Sequence, residues 1–187
     1  MTSNSQPGPD PQTTDDRVRA ALLTVMAAGA PLTHDAVAAE AGVSRRTVYR
    51  RYPDQAALRN EVWHLLSPPT VMQGDLAELL DHGLTATFTA FDDNAAAMTV
   101  AMASAEGRAV RNQQTAARVA YYRSIYAAAL GDLPEPRRTQ ALAVLQLLSS
   151  GLAWREMRDQ WGLTAPEMAQ ATGWAIRALL KDLNPRA

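Results

Sequence analysis

From Val18 onward, apolar residues recur at intervals of three and four, and the alternation of half-buried strands is missing. The pattern predicts a chain built from helices. Val18, Leu22, Val25 and Met26 form one stripe on a first helix. Asp15 or Asp16 can cap that helix, and Gly29 with Pro31 ends it. Thr33 is placed to cap a second, short helix that carries Val37, Ala38 and Ala41. Gly42 breaks it, and Ser44 can cap a third. Pro53-Asp54 then stops the third helix and caps a fourth, where Leu58, Val62, Leu65 and Leu66 repeat the core spacing.

The consecutive prolines of Ser67-Pro68-Pro69 deny helix continuation and read as a domain joint. Five further helices are expected beyond it. Leu76, Leu79, Leu80, Leu84, Phe88 and Phe91 mark the first, and the uniformly apolar Ala95 to Ala105, capped by Asp92-Asp93-Asn94, marks the second. Val119, Tyr122, Tyr126, Ala129 and Leu130 line the third. The fourth runs roughly from Arg138 to Gln160 and is apolar on more than one face, which requires more than one partner. The last opens on the capping box Thr164-Ala165-Pro166-Glu167 and reaches about Leu183. The expected organisation is a disordered tail over 1–14, a helical unit over 15–66, and a second helical unit over 70–187.

Composition narrows the chemistry. The absence of cysteine excludes disulfides, thiolate metal sites and a Cys nucleophile. No run of eighteen apolar residues suggests a membrane span, and the N-terminus lacks the layout of a signal peptide, so no membrane partner and a cytoplasmic location are expected. Net charge is −1, so the molecule as a whole is not a basic nucleic-acid binder. Its charge is nevertheless uneven: Arg45, Arg46, Arg50 and Arg51 cluster together, with no acid between Glu40 and Asp54. Such a patch is a focused positive footprint, although short charge clusters also occur as solvated helix faces.

The stretch from Thr33 to Tyr52 meets the steric demands of a helix-turn-helix. The first helix needs a small side chain where the two cross, supplied by Ala38. Four residues later the turn needs a residue tolerant of a left-handed backbone, supplied by Gly42. Six further on, the second helix needs an apolar residue facing the first, supplied by Val48. At 100° per residue, Val48 and Tyr52 share one face while Arg46, Tyr49 and Arg50 project from the other, with Thr47 at the margin. Arginines so placed can bridge guanine or hold phosphate, and the Tyr49 hydroxyl can reach phosphate. Arg45, beside Ser44 at the helix start, can reach bases or backbone, whereas Arg51 lies nearer the core side.

The run from Ala41 to Leu58, AGVSRRTVYRRYPDQAAL, resembles the signature of the TetR family of bacterial transcriptional regulators, and the likeness extends over about residues 15–66. The resemblance implies a nine- or ten-helix homodimer whose N-terminal three-helix DNA-binding domain precedes a ligand-binding and dimerisation domain. It also implies operator contacts from Arg45, Arg46, Thr47, Tyr49 and Arg50, with phosphate held near Thr33 at a helix N-terminus. One position departs from the family: a Lys commonly follows the residue that caps the fourth helix, and this chain has Gln55.

The expected function is thus a ligand-responsive repressor that binds a palindromic double-stranded DNA operator as a homodimer, with no cofactor or metal. Leu142, Leu145, Gly151, Met168, Ala171 and Leu179 are candidates for the dimer interface, unless their helices simply pack within one subunit. Phe88, Phe91, Met98, Met102, Tyr122, Tyr126 and Trp154 can line a pocket for a small-molecule effector, or form plain core. Two alternatives compete. A helical enzyme is disfavoured by widely separated histidines, His34, His64 and His82, and by the lack of a phosphate loop or nucleophile elbow. A protein-interaction module, or an activator without small-molecule sensing, can use the same fold, but a protein-binding face is more usually apolar at its centre.

Overall fold

The computed structural model describes residues 13–66 and 74–183. Most of the expected tail, the Ser67-Pro68-Pro69 joint and the last four residues lie outside the described residues. Every regular element among the described residues is a helix.

The first four helices follow from local capping chemistry. α1 (Thr14–Ala27) starts slightly before the expected aspartates, because Thr13 is the cap. Its hydroxyl accepts from the Asp16 amide at 3.2 Å, and the Asp16 carboxylate accepts from the Thr13 amide at 3.3 Å. Thr13 and Thr14 therefore belong to the helix and not to a tail. In α2 (His34–Ala41) the Thr33 hydroxyl accepts from the Ala36 amide at 3.2 Å. The helix ends on Gly42, whose left-handed backbone (φ 62°, ψ 38°) turns the chain toward α3 (Arg45–Arg51). Ser44 caps α3 by accepting from the Thr47 amide at 3.1 Å, and Asp54 caps α4 (Gln55–Leu66) by accepting from the Ala57 amide at 2.8 Å. These helices enclose Leu22, Leu32, Val37, Val48, Leu58 and Val62, all fully buried.

The second half is more broken than its periodicity suggests. α5 (Leu76–Glu78) continues through a π-helical turn at Leu79–Gly83 into α6 (Leu84–Asp93). Then follow α7 (Ala95–Ala103), α8 (Ala105–Gln113), α9 (Thr115–Ile125), α10 (Ala127–Leu130), α11 (Arg137–Leu148), α12 (Gly151–Trp161) and α13 (Ala165–Leu183). α8 has no counterpart among the expected helices. Ser104 caps it, accepting from the Gly107 amide at 2.9 Å, but only Gly107 and Val110 of this helix are buried, too thin a stripe to register as periodicity.

The expected Arg138–Gln160 helix is two helices. Ser149 donates back to the Leu145 carbonyl at 3.1 Å and Ser150 to the Leu147 carbonyl at 2.7 Å, competing with the helical ladder. Ser150 then caps α12, accepting from the Ala153 amide at 3.3 Å. Asn94 does not cap α7 through its side chain either: it donates to the Ala90 carbonyl at 3.2 Å, while Asp92 accepts from the Trp154 indole at 2.8 Å.

The two expected units share one continuous apolar core. α1 packs on α7, α4 on α8, and α13 on α6. At the α4–α8 contact the Arg59 guanidinium holds the Glu106 carboxylate through two bonds of 2.7 and 3.2 Å. Burial of Ala38, Val48 and Tyr52 fixes the rotation of α3 about its axis.

Candidate nucleic-acid interface

Because Val48 is fully buried and Tyr52 is 5% exposed, the rest of α3 faces outward. Arg45, Arg46, Tyr49 and Arg50 are exposed, and Thr47 is half-buried between the two faces. The sequence-predicted sidedness is therefore present in three dimensions.

The four arginines differ in their attachments. Arg51 ion-pairs with Asp15 on α1, and its Nε donates to the Tyr52 hydroxyl at 3.2 Å. Arg45 donates to the Tyr49 hydroxyl at 3.2 Å, lies over the Tyr49 ring, and reaches Asp35 of α2 at 3.2 Å. Its pKa is raised, first by the Tyr49 hydrogen bond and then by the Asp35 charge. An ion pair this exposed exchanges readily for another anion. Arg46 and Arg50 make no hydrogen bond or ion pair among the described residues, so both guanidinium groups are open to solvent. Beside Arg50 runs a groove of about 750 Å³ between the first turn of α1 and the α2–α3 turn, lined in part by Arg17, Ser44, Thr47 and Arg50 and by the paired Asp15 and Arg51.

Thr33 and Ser44 both serve as caps, so their hydroxyls are occupied by backbone amides, and Ser44 also shares a 2.8 Å bond with the Thr47 hydroxyl. Tyr49 is 40% exposed and stacks on His34, with centroids 3.8 Å apart. The sequence did not single out His34 for this site, and its buried Nε2 lies 2.7 Å from the Tyr52 carbonyl. Arg17, on the same groove, was also missed; an exposed cation in the first turn of a helix is its only sequence signal. Gln55 donates to the Leu32 carbonyl at 3.2 Å and so braces the entry to α2.

Comparison with known proteins gives no match: no family model, no curated protein and no solved structure is significantly similar to this chain.

The expected effector-pocket residues separate into two groups. Phe88, Met98, Met102 and Trp154 are buried in the core, and Trp154 is held there by Asp92 and by the Arg158 guanidinium 4.2 Å from its ring centroid. Phe91 and Tyr122 border a cavity of about 60 Å³ among α4, α6, α9 and the α11–α12 break. Tyr126 borders a more open cleft of about 340 Å³ between α9, α10 and α11.

Several interface candidates also turn inward. Leu145 and Met168 are buried within the chain, and a Cβ on Gly151 would stand 2.7 Å from Met98 and 3.0 Å from Met102, so this position serves α7–α12 packing. Leu142 and Leu179 are half-buried, and Ala171 is exposed. The outward apolar side chains are instead Val144 and Leu147 on α11, Leu152 and Trp161 on α12, and Trp174 on α13, the last 71% exposed.

No helix of the described residues is long and apolar enough to cross a membrane.

Proposed function

We propose that this chain is a DNA-binding transcriptional regulator that reads a palindromic operator as a homodimer and responds to a small effector. The observation that carries the reading is the pair Arg46 and Arg50, unpaired guanidinium groups on one side of a helix whose other side is buried. A helix so fixed can enter a major groove with its cations toward base edges and phosphates, while Arg17 and Arg45 flank it. The likeness of residues 41–58 to the TetR signature supports the same reading.

Dimerisation is supported by the outward apolar side chains of α11 and α13. Thr172 donates to the Leu148 carbonyl, and Val144 and Leu179 line one groove, so the two helices run antiparallel. That register sets Val144 and Leu147 alongside Ala171 and Trp174, an apolar strip that a second copy can cover. Two reading helices then face one side of a duplex, and an effector that changes their separation changes affinity.

Selection of random duplexes on the purified protein, followed by anisotropy on the enriched sequence, tests the proposal. A palindrome is expected, and Arg46→Ala with Arg50→Ala should weaken binding by roughly 100-fold or more and flatten the salt dependence. Undiminished binding by the double variant, or no enriched sequence, rejects it.

A further inference from the structure

Beside the cations on the exposed face of α3 stands an acid. Asp35, the acidic residue in the first turn of α2, sets a carboxylate oxygen 3.2 Å from Nη1 of Arg45, and both side chains are exposed. Asp35 makes no other ion pair or hydrogen bond among the described residues, because the cap of α2 is Thr33. Arg45 is held from its other side as well: Nη2 donates to the Tyr49 hydroxyl at 3.2 Å, and the guanidinium carbon lies 5.1 Å from the centre of the Tyr49 ring. Guanidinium and carboxylate thus stand side by side at the seam of α2 and α3. Nη1 and Nη2 each carry a second N–H, and the carboxylate keeps acceptor capacity of its own.

A surface that met phosphates alone would gain nothing from a carboxylate, which the DNA backbone repels. The groups in a major groove from which a carboxylate can accept are the amino groups of cytosine and adenine. On the edge of a G·C pair, guanine offers the acceptors N7 and O6, and the cytosine N4 amino group follows as a donor. A forked guanidinium next to a carboxylate matches that order. On an A·T pair a donor separates the two acceptors, so the fork has no pair of neighbouring oxygens and nitrogens to meet. We infer that Arg45 and Asp35 read one G·C pair in each half-site as a unit, Arg45 on guanine and Asp35 on the cytosine amino group, which makes Asp35 a specificity-determining residue. The inference rests on the proposed DNA-binding function.

The same pair discriminates against other sequences. On DNA that lacks the G·C pair, phosphate competes for the exposed guanidinium and leaves Asp35 beside the backbone without its counter-charge. On the matching pair both groups are satisfied at once. Asp35 therefore lowers affinity for unrelated DNA while the matched complex keeps its contacts.

Selection of random duplexes on the full chain, repeated with Asp35→Ala and Arg45→Ala, tests the inference. Both side chains are exposed, so both variants should fold, which circular dichroism checks. Wild type should enrich a sequence containing a G·C pair whose replacement by A·T weakens binding roughly tenfold or more, and the two variants should relax that same pair and no other. Anisotropy then probes the contact itself. A duplex in which hydrogen replaces the amino group of that cytosine should bind wild type severalfold more weakly and Asp35→Ala almost unchanged. Asp35→Ala should also bind an unrelated duplex severalfold more tightly than wild type does. An equal effect of the missing amino group on both proteins, variants that relax different pairs or none, or unchanged affinity of Asp35→Ala for unrelated DNA overturns the inference and leaves the proposed function standing. A wild type that enriches no sequence overturns the proposed function and the inference with it.

Discussion

The imidazole of His34 lies flat against the phenol of Tyr49, with 3.8 Å between centroids and 4° between planes. The same imidazole places Nε2 at 2.7 Å from the Tyr52 carbonyl, and since a carbonyl only accepts, Nε2 carries the proton. One side chain at the start of α2 therefore fixes both the exposed ring and the final turn of α3. His34→Ala should lower stability by about 1–3 kcal/mol, because it leaves a buried carbonyl unpaired. It should also weaken operator binding more than that loss explains, since Tyr49 loses its backing. Denaturant titration and DNA anisotropy at a temperature where the variant is fully folded separate the two effects. Unchanged DNA affinity in the folded variant would remove His34 from the interface.

Gln55, a neutral side chain, donates to the Leu32 carbonyl at 3.2 Å; if α3 enters a DNA groove as proposed, a cation at this position lies near the backbone. Gln55→Lys should therefore raise DNA affinity severalfold at low salt and steepen the salt slope by about one unit, the signature of one added phosphate contact. The same change should cost little stability, because the lost bond is neutral and only partly buried. An unaltered salt slope would place this residue away from the DNA backbone.

The exposed face of α3 was legible in the sequence because it is built from local chemistry. Thr33, Gly42, Ser44 and Asp54 each act within a few residues of themselves, and the alternation of Val48 with Arg46 and Arg50 settles which side of α3 is buried. The second half was less legible because its decisions are tertiary. Val144 and Leu145 are adjacent and equally apolar, and only the placement of α9, α12 and α13 decides that the second is core and the first is surface. Ser149 and Ser150 carried a break signal that the surrounding leucines masked. The Arg118–Trp63 stack joins residues far apart in the chain, with no periodicity linking them.

The outward strip on α11 and α13 makes a sharp distinction between neighbouring residues. Trp174→Glu and Leu147→Glu should each weaken self-association by about 30-fold or more while leaving helicity intact, since both side chains are exposed in one subunit. Leu145→Ala should instead destabilise the folded chain by about 2–5 kcal/mol, because this residue is buried within it. Sedimentation velocity across a dilution series, paired with circular dichroism, reads both. A dimer that survives both glutamate substitutions would move the interface elsewhere, to the side of α12 that carries Leu152 or Trp161.

Tyr126 is fully buried, and its hydroxyl finds no hydrogen-bond partner among the described residues. Burial raises its pKa far above the usual phenol range, so the group is a neutral hydroxyl at every physiological pH. An unmet buried hydroxyl costs about 1–3 kcal/mol relative to an apolar atom in its place. Its ring, however, stacks near Tyr122 at 6.3 Å, and that packing survives loss of the oxygen. Tyr126→Phe should accordingly be neutral or stabilise the fold by about 1 kcal/mol, whereas Tyr126→Ala should cost about 3–5 kcal/mol through the cavity it leaves. Urea midpoints for the pair decide the matter. A clear loss of stability in Tyr126→Phe would mean that the hydroxyl is bonded in solution, and the adjoining cleft between α9 and α11 would then be the first place to look for its partner.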